Sequence, residues 1–354
     1  MLKKILKILL VIILIVVILA GALFAWLSIK EFKPAPVMDA AVTVGDKAAG
    51  SSPKPGDELT IISWNIGYAG LGKDSDFFMD GGENVAYADE ALVNANISGI
   101  YDTLFEKNDA DVYMLQEVDL NSRRTYSIDE TAAIGVLNST FALNYSCPFV
   151  PFPLPPIGKV NSGLLTTTDF NISHAERHSL PCPFSWPVST ANLKRCLLVS
   201  YIPLDGSDKQ LVIVDLHLEA YDSGEGKIAQ SKQLREFIQA EYDKGNYVIA
   251  GGDFNQIFPG GLDKYPNEHP DLWTPGIIES DMMPADWTIA YDLETPTCRL
   301  LNQPYAPSDT ANTQYYTIDG FILSPNVELS SVKTMDEGFV YSDHNPVMLE
   351  VTLK

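Results

Sequence analysis

The chain has 354 residues, with 24 Lys and Arg against 46 Asp and Glu, so its formal net charge is −22. Such an acidic chain is a poor candidate for a protein that holds nucleic acid mainly through the phosphate backbone, because that mode needs a basic surface. Four Cys in so long a chain exclude a small disulfide-rich scaffold, and 46% apolar with 20% charged residues is typical of a globular protein.

The N-terminal segment is apolar and uncharged from Ile8 to Leu27, a run of twenty residues. About 20 apolar residues in a helix cross a hydrocarbon core of about 30 Å. Three lysines precede the run, and this basic cluster favours a cytoplasmic N-terminus. We predict a cytoplasmic tip and single transmembrane anchor over residues 1–33, with the rest outside the cytoplasm. The alternative is a cleaved signal peptide, although the apolar part of signal peptides usually has only 7–15 residues.

Residues 34–57 contain four Pro, three Gly and mostly small side chains. A segment of this composition buries little apolar surface, so we predict a semi-flexible linker. The folded domain is therefore expected over residues 58–354, as one large unit.

Short apolar, β-branched runs recur along this domain, and polar segments rich in Pro and Gly separate them. The predicted strands cover residues 59–66, 111–118, 162–167, 196–202, 210–218, 247–250, 317–323 and 347–353. Apolar residues at helical spacing predict helices over 89–107 and 225–243. Residues 147–156, with five Pro, and residues 258–292 are expected to form loops. Strands mixed with helices imply an α/β fold in packed layers, without giving the strand order.

Polar residues gather where these strands end, which is where α/β folds concentrate catalytic groups. They are Asn65, Glu117, His217, Asp253, Asn255, Asp319, Asp343 and His344. Taken singly, each of them except Glu117 is better explained as a turn, cap or core residue. Their order and spacing along the chain carry the functional interpretation.

The residue types indicate metal-assisted hydrolysis. A hard divalent cation takes oxygen ligands, which Glu117, Asp343 and the amide of Asn65 would supply. Asp253 and Asn255 are two residues apart, so an extended backbone places both side chains on one face.

Asp319 and His344 suggest an acid–base pair. A carboxylate beside an imidazole fixes its tautomer and stabilises its cation, which is the role we expect for Asp319.

The motifs stand in a recognisable order. They are Trp64-Asn65, Gln116-Glu117, Asn161 to Leu165 (NSGLL), Arg195, His217-Leu218, Gly252 to Asn255 (GDFN), Ile318-Asp319 and Ser342 to Pro346 (SDHNP). In this order the sequence resembles the endonuclease/exonuclease/phosphatase superfamily, whose fold is like that of deoxyribonuclease I. The segment after Glu117 resembles the general bacterial and sphingomyelinase-like members.

The resemblance implies a four-layer sandwich of two packed mixed β-sheets flanked by helices, with the site at one edge. It implies Mg²⁺- or Mn²⁺-dependent hydrolysis of a phosphoric ester. In this sequence Glu117 would be the main metal ligand, with Asn65 and Asp343 nearby, and Asp253 would orient or deprotonate the attacking water.

The remaining roles also follow from the resemblance. Asn255 and His217 would stabilise charge on the phosphoryl oxygens, and His344, paired with Asp319, would act as acid–base or phosphate ligand. Asn161 and Arg195 are expected to bind substrate.

The sequence thus predicts a membrane-anchored, extracytoplasmic, Mg²⁺-dependent phosphoesterase, and a phosphodiesterase in particular. A nuclease, a lipid head-group phosphodiesterase of the sphingomyelinase-like type and a catalytically silent binding module remain alternatives. Residues 1–33 carry five Lys and one Glu, or +4, so the other 321 residues carry −26. Because such a surface repels polyanions, a small or lipid-borne substrate is favoured over nucleic acid.

Overall fold

The computed structural model of the protein describes residues 2–84, 89–279, 282–309 and 312–354. Residue 1 of the predicted anchor and residues 280 and 281 of the predicted loop region 258–292 lie outside the described residues.

Two seven-stranded mixed sheets dominate the fold, with two small two-stranded sheets beside them. The strands are β1 (Val37–Asp39), β2 (Ala41–Thr43), β3 (Glu58–Asn65), β4 (Val112–Asp119), β5 (Asn138–Val150), β6 (Gly158–Thr168), β7 (His174–Ser179), β8 (Cys196–Pro203), β9 (Gln210–His217), β10 (Tyr247–Asp253), β11 (Gln256–Ile257), β12 (Gly276–Ile277), β13 (Thr288–Ala290), β14 (Cys298–Arg299), β15 (Tyr315–Tyr316), β16 (Asp319–Leu323), β17 (Val327–Thr334) and β18 (Val347–Leu353). The α-helices are α1 (Leu2–Lys30), α2 (Glu90–Tyr101), α3 (Glu130–Ile134), α4 (Glu225–Asp243) and α5 (Gly261–Lys264).

One large sheet has the order β1-β7-β8-β9-β10-β16-β13, and the other has the order β17-β18-β3-β4-β6-β5-β2. The two sheets pack face to face, and Leu59 and Ile61 of β3 meet Ile213 and Ile249 of the first sheet in the central core. Successive strand residues point to opposite faces, so the apolar residues of both parities are buried on both sides of each sheet.

Helices cover the outer faces of both sheets. Leu234 and Ile238 of α4 pack on the first sheet, and Val93 and Ile97 of α2 pack on the second. The helix α2 begins where the side chain of Asp89 accepts a hydrogen bond from the backbone N–H of Ala91, as an N-cap does. The predicted four-layer sandwich is thereby confirmed.

All eight predicted strands are present, and both predicted helices form. The loop expected over 147–156 is shorter than predicted, because β5 continues to Val150 and β6 begins at Gly158. The neighbour of β5 on its other side, β2, reaches only residues 139–141. Beyond that point β5 is an edge strand, where a Pro leaves no ladder hydrogen bond unmade. The strands β5, β7 and β17 escaped prediction. In β5 and β7 polar residues such as Asn144 and Arg177 occupy buried positions, and a bulge after Leu329 breaks the alternation in β17.

Part of the predicted linker is regular structure. Residues 37–39 pair with β7 and residues 41–43 pair with β5, so this stretch joins the edges of the two large sheets. Their side chains are exposed, which is why composition alone suggested a spacer. Backbone pairing needs no apolar side chains, and it fixes residues 37–43 against the domain.

Among the described residues, α1 is long and apolar enough to cross a membrane, a property that a signal sequence shares. Its last turns contact the domain. Leu27 is buried against Cys147, Val150 and Val160 of the β5–β6 hairpin.

Candidate active site

The strand register explains how residues distant in sequence meet. The strands β9 and β10 are parallel, and they place His217 opposite Asp253 at their carboxyl ends. The strand β16 is antiparallel to β10, so its first residue, Asp319, also lies opposite Asp253. In the other sheet, β3 and β4 are parallel and bring Asn65 and Glu117 to the same edge.

The side chain of Asn65 links the two sheets. Its Nδ2 donates to Glu117 Oε1 at 3.3 Å and to Asp253 Oδ2 at 3.0 Å, and its Oδ1 accepts from the backbone N–H of Gly67 at 3.0 Å. With the amide in this orientation, the Asn65 oxygen faces the backbone rather than the carboxylates. Asn65 therefore connects the two carboxylates, and its expected contact with a cation stays a prediction.

Glu117 is presented by an irregularity in β4. Its φ angle is +55°, and the ladder between β4 and β6 shifts register between Leu115 and Val118. A left-handed residue at a bulge costs conformational energy and occurs where a side chain must be redirected. The bulge turns the Glu117 carboxylate to within 4.0 Å of His217 Nε2.

Seven side chains form what we call the strand-end cluster: Asn65, Glu117, His217, Asp253, Asp319, Asp343 and His344. Asp253 lies at its centre. Its Oδ2 is 3.4 Å from His217 Nε2 and 3.8 Å from His344 Nε2, while its Oδ1 accepts from the backbone N–H of Asn255 at 2.8 Å. Burial, with the nearby charge of Asp319, raises the pKa of Asp253 to about 7. A carboxylate of this kind accepts a proton readily near neutral pH.

The pKa values of the two histidines are shifted in opposite directions. Burial, helped by Arg195 and His344, lowers the pKa of His217 well below its usual range. Burial also acts against protonation of His344, but the carboxylates of Asp319, Asp343 and Asp253 raise its pKa well above the usual range. His344 Nδ1 lies 2.9 Å from Asp319 Oδ2, which confirms the pairing expected between these two residues.

The carboxylates of Glu117 and Asp343 have the chemistry of a hard-cation site. Burial raises the pKa of both, although Arg124 lowers that of Glu117, and His344 and Arg299 lower that of Asp343. Because both pKa values are raised overall, the neighbouring positive groups do not fully compensate the charge of the two carboxylates when they are ionised. Oxygen donors with unbalanced negative charge fit Mg²⁺ or Mn²⁺, which would neutralise them.

Two other close groups of potential ligands share His344, namely Asp253 with Asp319, and Cys298 with Asp343. In the first group His344 is already bound to Asp319 through Nδ1. In the second, the Cys298 sulfur is a soft donor that a hard cation does not favour, and burial raises the pKa of its thiol to about 12. Neither group is as suitable for a hard cation as the pair Glu117 and Asp343.

The other three predicted site residues have different surroundings. Asn255 donates through Nδ2 to the carbonyl of Leu218 at 2.9 Å, beside Asp253. Arg195 is buried, and its guanidinium donates to Glu219 Oε2 at 3.3 Å and to the His217 carbonyl at 3.0 Å. Arg195 thus holds the backbone of His217, and its expected contact with substrate stays a prediction.

Asn161 lies on β6, where its Oδ1 accepts from the Ser146 hydroxyl at 2.9 Å. Within the described part of the chain, no hydrogen bond or ion pair joins it to the strand-end cluster.

Two groups of residues at the rim of the cluster were not predicted from the sequence. Arg124 lies over the ring of Tyr68, 3.5 Å from the ring centre, and pairs with the buried Asp119. Tyr221 donates to Asp80 at 2.9 Å, and burial of Asp80 raises its pKa to about 7. All of these residues lie in or next to loops, where no periodic pattern marks them.

Comparisons with known proteins agree with this geometry. The profile described as "Endonuclease/Exonuclease/phosphatase family" matches residues 62–344. No protein of curated description matches the chain.

Among solved structures, the fold resembles an endonuclease/exonuclease/phosphatase from Bacteroides vulgatus, with a TM-score of 0.54, 13% identity, and coverage of 84% of this chain and 100% of that one. A protein of the same description from Beutenbergia cavernae gives a TM-score of 0.52 and 18% identity, covering 84% and 72%. TDP2 from C. elegans gives a TM-score of 0.50 and 15% identity, with coverage of 84% of this chain and 76% of that one.

The profile match extends over most of the chain, and it includes every residue of the strand-end cluster. The chain therefore belongs to the endonuclease/exonuclease/phosphatase family.

Proposed function

We propose that this protein is a membrane-anchored, extracytoplasmic, Mg²⁺-dependent phosphodiesterase. The single observation that carries the proposal is the cluster at the strand ends. Asp253 lies between two imidazoles, and Asn65 ties it to Glu117 on the opposite sheet. The family acts in general on phosphoester bonds, and phosphoryl chemistry consists mainly of positioning and charge neutralisation.

Each side chain of the cluster has a role in this proposal. Glu117 and Asp343 would hold the cation, which supplies positive charge against the phosphoryl oxygens. Asp253 would accept the proton of the attacking water. Neutral His217 and protonated His344 would donate to the phosphoryl oxygens, with Asp319 holding the ring of His344 in place.

Sequence features support the cellular placement. Three lysines precede the apolar run of α1, and the positive-inside tendency then puts the domain outside the cytoplasm. Mass spectrometry of the N-terminus from purified membranes tests this arrangement. Recovery of a protein that begins after Ala22, the last residue of the small-residue stretch Ala20-Gly21-Ala22, would indicate a cleaved signal peptide instead.

Charge favours a small or lipid-borne phosphodiester over nucleic acid. Residues 34–354 carry −26, which repels a polyanion at long range. A nuclease would cut plasmid DNA under the conditions in which it hydrolyses a small diester, and such cutting would contradict this preference.

The decisive experiment measures turnover of bis(p-nitrophenyl) phosphate by the full chain in detergent. We expect activity with Mg²⁺ or Mn²⁺, loss with EDTA, and recovery when the metal is restored. Glu117→Gln should lower kcat/KM by about 10³-fold, since it removes a charged ligand and its electrostatic stabilisation. Glu328→Gln, the same change at an exposed glutamate on β17, is the matched control. Full activity in EDTA would refute the proposal, and failure to bind Mn²⁺ in calorimetry would favour a silent binding module.

A further inference from the structure

We infer that the domain rests directly on the membrane through an apolar loop surface, which adjoins the entrance to the site. The apolar loop surface comprises Phe152 and Leu154 between β5 and β6, and Trp186 and Val188 between β7 and β8. Its partner is the outer face of the bilayer that α1 enters, so the inference rests on the proposed anchoring.

The four side chains are unusually exposed for their type. Exposure is 67% for Phe152, 80% for Leu154, 65% for Trp186 and 56% for Val188. Large apolar side chains at neighbouring loop tips mark an interaction surface rather than a random feature. The two loops are held together beneath these tips, where the Tyr145 hydroxyl of β5 donates to the Ala191 carbonyl at 2.9 Å.

The last turns of α1 lie against these same loops. Trp186 Nε1 donates to the Ser28 hydroxyl at 2.9 Å, and Lys194 Nζ lies 3.0 Å from Glu31 Oε1. The helix is thus joined to the domain by polar contacts at its end and by Leu27 one turn earlier. With residues 37–43 paired into both sheets, this leaves little freedom for the domain to move away from the membrane.

The contact begins at the right height along the helix. Leu23 is the first residue of α1 that packs against the domain, so 15 residues of the uncharged apolar run, Ile8 to Ala22, extend beyond it. At 1.5 Å per residue these span about 22 Å, which is less than a hydrocarbon core of about 30 Å. The loops beside Leu23 and Leu27 therefore reach the boundary between the hydrocarbon core and the lipid head groups. Trp side chains favour this level, because the ring is apolar and its N–H is polar.

Charge separates this region from the rest of the domain. Residues 131–168 and 177–204, which form both loops and their flanking strands, contain no Asp or Glu. If the 45 acidic residues were spread evenly over the 321 residues after the anchor, about nine would fall in these 66. Both segments carry basic residues, among them Lys159 and Lys194. Glu31, at the end of α1, is about 10% exposed and is paired with Lys194, so the two segments themselves add no carboxylate here. Such a region suits an anionic lipid surface, which repels the rest of this domain.

The apolar loop surface is continuous with the rim of the site. The ring of Phe152 packs edge-on against Phe78, with centroids 6.1 Å apart. Phe78 begins the short 3₁₀ turn Phe78–Asp80, and Asp80 is hydrogen-bonded to Tyr221 beside the cluster. Docking through this surface would hold the rim of the site, at Phe78 and Asp80, next to the lipid head groups.

The test uses the full chain in phosphatidylcholine vesicles whose acyl chains are brominated near the head group, which quench nearby Trp. The difference in emission between wild type and Trp186→Phe isolates the signal of Trp186. The variant Trp26→Phe isolates in the same way the signal of a residue in α1, and Trp287→Phe isolates that of a buried residue near α4. We expect quenching of Trp186 by about twofold or more, as for Trp at the interface. Quenching of Trp26 without Trp186 would overturn the inference, and no quenching of either would show that α1 is not inserted.

A paired variant checks the surface itself. Leu154→Ser with Val188→Ser should reduce the quenching of Trp186. The control is Val44→Ser, because Val44 is also 80% exposed but follows β2, at the opposite end of β5. Hydrolysis of bis(p-nitrophenyl) phosphate should be unchanged in both, which verifies folding. If wild type lacks that activity, the proposed chemistry fails while the quenching still decides on docking. Equal quenching in the paired variant and the control would contradict the apolar loop surface.

Discussion

Two neighbouring regions of this molecule are built on opposite principles. The strand-end cluster consists of buried polar side chains, and most of them are hydrogen-bonded or paired with one another. The apolar loop surface, by contrast, consists of exposed hydrophobic side chains in a stretch without acidic residues. Phe78 and Phe152 lie where the two regions meet.

The difference shows what each region requires from its environment. Buried carboxylates are costly unless they are paired, so the cluster depends on its internal partners, and the proposed cation would stabilise it further. Exposed apolar groups cost little by themselves, but they gain free energy when a lipid surface covers them. Variants in one region should therefore leave the readout of the other unchanged.

After Glu117→Gln, the largest effect is expected from breaking the pairing of Asp319 with His344. Asp319→Asn removes the charge that stabilises protonated His344, so we expect kcat for bis(p-nitrophenyl) phosphate to fall about 10²- to 10³-fold. KM should change little, since the ring remains in place. Asp208→Asn, at an exposed position, is the control. Loss of Trp186 quenching in the Asp319 variant would show that the two regions are not independent.

An intermediate effect is expected from placing acid on the apolar loop surface. Leu154→Asp with Val188→Asp should weaken docking on vesicles that contain phosphatidylserine by about 2 kcal/mol, since each charge near such a surface is worth about 1 kcal/mol. The measurement is Trp186 quenching at rising phosphatidylserine content, with Val44→Asp as control. Added salt should reduce the difference, because it screens the charges. A difference that does not depend on salt would contradict an electrostatic contribution.

The smallest effect concerns Asp215, buried in β9 behind the cluster. Burial raises its pKa well above the usual range, although Gln116 donates to its Oδ1 at 2.7 Å. The folded protein therefore keeps a proton that the unfolded chain releases near pH 4. This contribution to stability is complete below that pH and is lost as the pH rises.

Asp215→Asn cannot lose a proton, so its advantage over wild type should grow from about pH 4 to pH 8. We expect the free energy of unfolding to rise by about 1 kcal/mol at pH 8, seen as a shift in Tm of about 2–4 °C. Asp243→Asn, at an exposed position, should show no such trend. A constant difference between pH 4 and pH 8 would disprove the assignment of the titration to Asp215.

Much of the site followed from local sequence patterns. Asn65, His217 and Asp253 each end a strand whose apolar residues are visible in the sequence, and Glu117 lies two residues before the end of such a strand. Because each strand is a local pattern and the motifs follow in a fixed order, family and fold class were predictable. Asp80 and Tyr221 lie on irregular segments, and only the packing of distant loops brings them together.

The pattern of apolar and polar residues determined by itself the apolar N-terminal helix, the predicted strands and the chemistry of the cluster, since each depends on residue type and short spacing. The tertiary structure decided which atoms face one another. It turned the Asn65 amide nitrogen toward two carboxylates and used Arg195 to hold His217. It also converted residues 37–43 from an expected spacer into edge strands, because backbone hydrogen bonds depend on neighbouring strands and leave no mark in composition.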